Sequence, residues 1–255
     1  MIGIFDSGLG GLTALTKLTK YAPEADLLYF GDTARVPYGS RSVDTITKYA
    51  DEIISLLISR GADKILAACG TVSTVALPRL KEKYPDRLFG ILEPACAAAV
   101  NATKNGKIGV IATSASINSG AYERELCSLG RSIEVTKTAC PLLVPLVEGG
   151  FVARDCEITR LAVREYLKDI KAAGCDTLLL GCTHYPIIAD IISDELCGVT
   201  LINASDEAAK MMAENAKKEN GKVKMILSDR THDMEKVMAL LGAEGNFELE
   251  ISPLN

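Results

Sequence analysis

The segment Lys64-Ile-Leu-Ala-Ala-Cys69-Gly-Thr71 is a short apolar run that leads into a cysteine. It has a counterpart at Asp176-Thr-Leu-Leu-Leu-Gly-Cys182-Thr183. Each stretch predicts a buried strand followed by a cysteine, a threonine and the start of a helix. Ligands of open α/β sheets bind at the carboxyl ends of the strands. The similarity of the two segments therefore predicts two similar lobes, each of which contributes one cysteine to a site.

Short apolar or β-branched runs alternate with helical periodicity along the whole chain. This alternation predicts an α/β fold with mostly parallel sheets, flanked by helices that connect one strand to the next. The nine predicted strands are Ile2 to Phe5, Leu27 to Phe30, Ile65 to Ala68, Leu88 to Leu92, Ile108 to Ile111, Ile133 to Val135, Thr177 to Leu180, Val199 to Ile202 and Val223 to Leu227.

Apolar residues between these runs recur at three- and four-residue spacing, which predicts helices with one buried face. Two such stripes are Ile46, Ala50, Ile53, Ile54, Leu57, Ile58 and Ile158, Leu161, Ala162, Tyr166, Ile170. We expect both stripes to lie in the core and to carry no chemistry.

Composition narrows the class of function. The 255 residues include 48% hydrophobic residues, which is enough for one large domain or two ordinary lobes. The net charge of −5 is spread along the chain, so we expect no nucleic-acid partner. The first residues lack the pattern of a signal peptide, and no apolar run is long enough to cross a membrane. We therefore expect a cytoplasmic protein with no membrane partner.

A glycine-rich turn, Asp6-Ser-Gly8-Leu-Gly10-Gly11, follows the first predicted strand. It differs from a dinucleotide-binding loop because Thr13 stands where the third glycine would be, and no acidic residue ends a second strand in the expected way. Two interpretations remain. The turn either binds a small anion such as a carboxylate through its backbone N–H groups, or has a purely structural role.

The eight cysteines are dispersed, with no Cys-x-x-Cys pair and only two histidines to assist metal binding, so we expect reduced thiols and no metal. Most buried cysteines are inert, and we expect this of Cys96, Cys127, Cys156, Cys175 and Cys197, while Cys140 stays ambiguous. Cys69 and Cys182 differ, because each precedes a predicted helix start that favours a thiolate and lowers the thiol pKa. His184, beside Cys182, is a candidate proton carrier, whereas His232 lies in a charged segment typical of a surface.

Four blocks of this sequence, in order, resemble the signature blocks of glutamate racemases. They are Phe5-Asp6-Ser-Gly-Leu-Gly-Gly-Leu-Thr13, Val36-Pro-Tyr-Gly-Ser-Arg-Ser42, Leu146-Val-Glu-Gly149 and Gly181-Cys-Thr-His-Tyr-Pro186. The resemblance spans nearly the whole chain. The wider family includes aspartate racemases, which commonly have glutamate where this chain has His184, so the histidine favours the glutamate branch.

The resemblance implies roles for individual residues. Cys69 and Cys182 would be the acid/base pair on opposite sides of the substrate. Asp6 would assist Cys69, and His184 with Glu148 would assist Cys182. The residues expected to bind the substrate are Asp6, Ser7, Pro37, Tyr38, Gly39, Ser40, Gly70, Thr71, Thr183 and His184.

The resemblance also implies the lobe boundaries and a role in the cell. Residues 1–93 and 208–255 would form the first lobe, with Cys69, and residues 94–207 the second, with Cys182; the site would lie between them. The product D-glutamate would supply peptidoglycan. We expect an amino-acid substrate, allow for a homodimer and expect no cofactor.

Two opposed groups suit racemisation, because a single base cannot easily reach both faces of an α-carbon held in a tight site. A pyridoxal enzyme would instead need a Schiff-base lysine. Lys64 and Lys107 begin predicted strands, at the wrong end of the sheet for this role.

One position departs from the family. The first cysteine block normally continues with asparagine, which would contact the amino acid, but this chain has Gly70. Losing one buried hydrogen bond costs about 1–3 kcal/mol if nothing replaces it. Either water or another side chain compensates, or the pocket accepts another amino acid such as aspartate. Two further alternatives are an amino-acid-binding protein without turnover and a redox pair, which would need the two cysteines within disulfide reach.

Overall fold

Two parallel sheets organise the chain in the computed structural model, which describes residues 1–129, 132–214, 216–230, 234–241 and 247–254. Within these ranges the first sheet has the strand order β10-β9-β2-β1-β3-β4, and the second has the order β6-β5-β7-β8. The strands are β1 Ile2–Asp6, β2 Leu27–Gly31, β3 Lys64–Ala67, β4 Leu88–Gly90, β5 Lys107–Ala112, β6 Glu134–Ala139, β7 Thr177–Leu180, β8 Thr200–Asn203, β9 Val223–Leu227 and β10 Glu248–Ile251.

Helices cover both sheets and also lie between them. They are α1 Leu12–Tyr21, α2 Val43–Ser59, α3 Gly70–Val75, α4 Leu77–Lys83, α5 Leu92–Ala102, α6 Ser114–Asn118, α7 Ala121–Ser128, α8 Leu143–Glu148, α9 Glu157–Ala172, α10 Ala189–Glu195, α11 Ala204–Glu214 and α12 Met234–Leu240. A 3-10 turn, Tyr185–Ile188, precedes α10. No helix of the described ranges is long and apolar enough to cross a membrane.

Side chains of β1 alternate between the two faces of the first sheet, and each face packs against its own apolar core. Ile2 and Ile4 face a central core shared with α1, α5 and α11, whereas Phe5 faces a second core with α2 and α3. A third core lies on the outer face of the second sheet, under α9 and α10. The predicted α/β fold with two mostly parallel sheets flanked by helices is therefore confirmed.

All nine predicted strands are present, with shifted ends. The strand expected to reach Leu92 stops at Gly90, because α5 begins at Leu92. The strand expected at Ile133 to Val135 extends to Ala139 as β6. The strand β10 was not predicted, because its glutamates alternate with Leu249 and Ile251 at a partly exposed sheet edge.

The two predicted helix stripes had different outcomes. The stripe on α2 is buried at Ile46, Ala50, Ile53, Ile54 and Leu57, as predicted. On α9 the prediction was wrong for Ile158 and Leu161, which are 53% and 60% exposed, and right for Ile170, which is buried. The buried face of α9 carries Thr159, Val163, Leu167 and Ile170, with Ala162 and Tyr166 partly buried beside it, so it is displaced around the helix axis from the predicted stripe.

The first sheet is built from strands within residues 1–93 and 208–255, and the second from strands within residues 94–207. The proposed boundaries after residues 93 and 207 fall inside α5 and α11, two helices that pack against each other between the sheets. We keep these boundaries as a proposal and call the parts that hold the first and second sheets the first and second lobes. The prediction that His232 lies at the surface falls outside the described residues.

Candidate active site

The carboxyl ends of both sheets open into one cavity of about 440 Å³. Its first-lobe wall consists of Ser7, Gly8, Val36, Pro37, Tyr38, Gly39, Ser40, Cys69, Gly70 and Thr71. Its second-lobe wall consists of Thr113, Ser114, Cys140, Pro141, Val144, Pro145, Glu148, Gly181, Cys182, Thr183 and His184. All the residues that the sequence predicts for the site lie in this wall except Asp6.

Cys69 lies two residues beyond the end of β3 and precedes the first turn of α3. Its thiol lies 3.4 Å from the Ser7 hydroxyl and donates a hydrogen bond to it. Burial, with a smaller contribution from the charge of Asp6, raises the pKa of Cys69 to about 12. The predicted lowering of this pKa was wrong, because burial outweighs the effect of the short helix that follows.

Asp6 ends β1 and lies behind the cavity wall, near Cys69. The side chain is fully buried, and its Oδ2 accepts a hydrogen bond of 3.1 Å from the Gly8 N–H. Its other oxygen, Oδ1, has no hydrogen-bond partner within the described residues. Burial raises the pKa of Asp6, although the charge of His184 and the Gly8 N–H act against it. A buried carboxyl group with a raised pKa is suited to exchange protons with a neighbouring thiol.

Cys182 follows β7, which ends two residues earlier. The Nδ1 atom of His184 lies 3.9 Å from Cys182 Sγ, and Nε2 lies 3.1 Å from Glu148 Oε1. Burial alone would lower the pKa of His184, but the hydrogen bonds to Cys182 and Glu148 outweigh it and raise the value to about 10. The imidazole is therefore a cation at neutral pH. The predicted helix after Cys182 is a turn, and the 3-10 segment begins only at Tyr185.

The loop at residues 36–40 closes the first-lobe side of the cavity and contains the cis peptide bond between Val36 and Pro37. Buried Asp32 holds it: this carboxylate accepts hydrogen bonds from the Tyr38 hydroxyl, from Arg35 at 2.7 Å and from Ser228 at 2.9 Å. Arg35 also stacks over the Tyr49 ring, 4.0 Å from its centroid. The loop is thus anchored from the core side.

Hydroxyl groups join the two lobes beneath the cavity. The Thr71 and Thr113 hydroxyls are 2.9 Å apart, and Thr74 donates to Ser116 at 3.1 Å. Thr113 also accepts from the Ser116 N–H at the start of α6. These contacts connect the helix that follows Cys69 with the helix that follows β5.

The model of the Asp/Glu/hydantoin racemase family matches residues 11–212, more than half of the chain. The chain belongs to the Asp/Glu/hydantoin racemase family. The glutamate racemase of Aquifex aeolicus (strain VF5) is 43% identical over 244 residues, covering 95% of this chain and 94% of that protein. The glutamate racemase of Persephonella marina is 42% identical over 257 residues, covering 99% of this chain and 98% of that protein.

A solved structure of the same family resembles the whole chain. It is the crystal structure of glutamate racemase from Francisella tularensis in complex with D-glutamate, with a TM-score of 0.90 and 33% identity. The match covers 100% of this chain and 97% of that chain. The racemase fold is therefore shared from end to end.

Sequence reasoning missed part of the second-lobe wall of this racemase. Thr113, Ser114, Cys140 and Pro141 directly follow β5 and β6, at strand ends where ligands of open sheets bind. The strand-end argument that selected Cys69 and Cys182 could have found them. Val144 and Pro145 lie inside α8, and only the folded structure brings them to the cavity.

Proposed function

We propose that this chain is a glutamate racemase that interconverts L- and D-glutamate by moving the α-proton between Cys69 and Cys182. One observation carries the proposal: the two cysteines line one cavity, Cys69 in its first-lobe wall and Cys182 in its second-lobe wall, each beside an ionisable partner. Asp6 lies behind Cys69, and His184 lies beside Cys182. The relatives described above, named as glutamate racemases, support glutamate as the substrate.

The surroundings of the two cysteines differ, and this suits them to opposite roles. Burial and Asp6 keep the Cys69 thiol protonated at neutral pH, since its pKa is about 12. The Nδ1 atom of His184, 3.9 Å from Cys182 Sγ, lies where it can exchange a proton with that cysteine. In one direction Cys182 would then take the α-proton while Cys69 delivers another to the opposite face. The product state has Cys69 as thiolate and Cys182 as thiol, which is the starting state of the reverse direction.

The cavity wall is suited to an amino acid with two carboxylates. Its volume of about 440 Å³ falls within the roughly 300–1,000 Å³ range of small-molecule sites. No lysine or arginine belongs to the wall, all of whose residues lie in the described part of the chain. The carboxylates would therefore bind hydroxyl and backbone N–H donors, including the hydroxyls of Ser7, Ser40, Thr71 and Thr183.

The reaction creates a carbanion next to the substrate carboxylate. Fixed donors in a buried site stabilise such charge without having to reorient as it develops. The hydroxyls of Thr71 and Thr113 are already connected to each other and to the starts of α3 and α6. We propose that they hold the α-carboxylate while the proton moves.

Proton NMR in deuterated buffer tests the proposed function directly. The purified protein is incubated, without added cofactor, with D-glutamate, L-glutamate and each enantiomer of aspartate. We expect the α-proton signal to disappear from both glutamate enantiomers and to persist in aspartate. Exchange in aspartate alone would assign another substrate, and absence of exchange in all four samples would refute the enzyme proposal.

We further propose that the chain works in the cytoplasm, supplies D-glutamate for peptidoglycan and forms a homodimer. Five large apolar side chains among the described residues of the second lobe are exposed, namely Leu129, Leu142, Phe151, Ile158 and Leu161. We propose that some of them form a contiguous apolar patch, which is typical of association surfaces. Light scattering after size-exclusion chromatography would give twice the 27.2 kDa chain mass for the dimer and the single chain mass if the proposal is wrong.

A further inference from the structure

Two glycines beside the cysteines make a backbone contact between the lobes. Gly70 follows Cys69 in the chain, and Gly181 precedes Cys182. The carbonyl oxygen of Gly181 occupies the space where a Cβ at position 70 would lie. The contact therefore exists only because residue 70 is glycine.

The Gly181 carbonyl is also held from its own lobe. The buried Tyr122 hydroxyl donates a hydrogen bond of 3.3 Å to it. A Cβ at position 181 would lie 2.5 Å from that hydroxyl, so neither glycine has room for a side chain. The peptide unit just before Cys182 is thus enclosed between Tyr122 and Gly70.

A second glycine of the first lobe approaches the chain on the other side of Cys182. A Cβ at Gly10 would overlap the Thr183 hydroxyl and lie 2.6 Å from Cε1 of His184. Gly10 and Gly70 therefore both lie against residues 181–184. The first lobe, which carries Cys69, contacts the Cys182 segment directly at two backbone positions.

We propose that Gly70 is a positioning residue: its missing side chain lets the lobes close on the Gly181 carbonyl, which sets the spacing of the Cys69 and Cys182 thiols. The inference builds on the proposed two-cysteine racemisation. Tyr122 is the partner that holds the Gly181 carbonyl in place. A side chain at position 70, including the family's asparagine, separates the two cysteine segments, so Gly70 belongs to the way this chain closes its cavity.

The first test adds volume at position 70. We expect Gly70→Ala and Gly70→Asn each to lower kcat by about 10- to 100-fold, because small misplacements of reacting groups have effects of this size. KM should change much less, since the hydroxyls of the wall remain. Unchanged kcat in Gly70→Ala, or higher kcat in Gly70→Asn, would overturn the proposal.

The control variant is Gly174→Ala. Gly174 has φ +68°, and no atom lies within 4 Å of the place that a Cβ would take, so alanine strains the backbone without meeting a neighbour. It lies between α9 and β7, at the end of the second sheet away from the cavity. We expect a less stable protein with unchanged kcat, which separates loss of positioning from loss of stability.

A second readout is independent of catalysis. Each variant is treated with iodoacetamide, and labelling of each cysteine is followed by peptide mass spectrometry. Separation of the lobes should speed labelling of the buried Cys69 and Cys182 several-fold, while the exposed Cys127 and Cys197 react at their wild-type rates. Fast labelling of Cys96, in the central core, would reveal unfolding instead.

Tyr122→Phe tests the contact without added volume and serves if the position 70 variants do not fold. Loss of the hydroxyl frees the Gly181 carbonyl, so we expect kcat to fall about two- to tenfold and Cys182 labelling to rise. Wild-type kcat and labelling in this variant would overturn the proposal. If the wild-type protein does not racemise glutamate, the proposed function is refuted. If the variants of that protein are still labelled faster, the positioning role is retained.

Discussion

The Nε2 atom of His184 lies 3.1 Å from the Glu148 carboxylate, while the other nitrogen of the ring faces Cys182. The carboxylate is 42% exposed and the imidazole is buried, so the pair links solvent to the wall of the cavity. We propose that a proton can leave or reach Cys182 through this pair. Cys69 has a different partner, the fully buried Asp6.

Removal of His184 should impair the Cys182 side of the reaction. We expect His184→Asn to lower kcat by about 10²- to 10⁴-fold, the usual contribution of a positioned acid or base. Circular dichroism of D- and L-glutamate samples measures both directions. An unequal loss in the two initial rates is expected, because only one cysteine loses its partner. A variant with wild-type rates would remove His184 from the mechanism.

Glu148 should control the alkaline side of the pH profile. The pKa of His184 is about 10, partly because of the bond to Glu148, so activity should fall as pH rises through that value. In Glu148→Gln the hydrogen bond that helps to raise the pKa of His184 is lost. The alkaline loss of activity should therefore move to lower pH. Profiles of kcat/KM between pH 6 and 11 measure this shift. Glu82→Gln, exposed on α4, is the control, and a coincident profile for the two variants would contradict the assignment.

The same pKa predicts how stability depends on pH. The folded-state value of about 10 exceeds the ordinary 6.5, so the folded protein holds this proton more tightly. The stabilisation is complete below pH 6.5 and is lost as pH rises through about 10. The free energy of unfolding, measured with denaturant, should therefore decline more steeply across this pH window for the wild type than for His184→Asn. Equal slopes for the two proteins would contradict the raised pKa of His184.

Asp6 should stabilise the protein less than asparagine would. Burial raises the pKa of Asp6, so ionising it above that pKa opposes folding. Asp6→Asn should raise the melting temperature at pH 8 more than at pH 4, by about 2–4 °C per kcal/mol gained, while lowering kcat. The control is Asp169→Asn, exposed on α9. A lower melting temperature for Asp6→Asn at pH 8 would contradict the account.

Tyr38 should affect substrate binding more than chemistry. Its hydroxyl donates to Asp32 and so anchors the loop at residues 36–40. We expect Tyr38→Phe to raise KM several-fold with little change in kcat, as measured by steady-state kinetics. Tyr21→Phe, at an exposed position, is the matched control. A fall in kcat at constant KM would instead assign the hydroxyl to the reaction itself.

The proposed mechanism needs neither a metal nor a carbonyl cofactor. Dialysis against a chelator, followed by treatment with hydroxylamine, should leave the racemisation rate unchanged. A large loss after the first step would assign a metal, and a loss after the second would assign a pyridoxal group. Buffer-dialysed protein assayed in parallel provides the control.

Strand ends were predictable from sequence because their signals are local. The short apolar runs that end near Cys69 and Cys182 indicated both the strands and the side of the sheets where ligands bind. The face of α9 was misjudged, because Ile158 and Leu161 continue an apolar spacing that the tertiary structure leaves exposed. Local periodicity does not specify which of two similar faces meets the core.

The electrostatics of the site depend on long-range packing. The helix start after Cys69 suggested a low thiol pKa, but burial among residues distant in sequence reverses the direction. Likewise, the carbonyl of Gly181 occupies the space that a side chain at position 70 would need, and these two residues are more than a hundred positions apart. Sequence reasoning predicted which groups react and could not give their spacing or their charge states.

Exchange of the α-proton by Cys69→Ser and Cys182→Ser shows whether both cysteines take part in racemisation. Each variant, with Cys127→Ser as control, is incubated with pure D- or L-glutamate in deuterated buffer and followed by proton NMR and circular dichroism. The two-cysteine account predicts that racemisation nearly disappears in both site variants and persists in the control. Full racemisation by either Cys69→Ser or Cys182→Ser would contradict it.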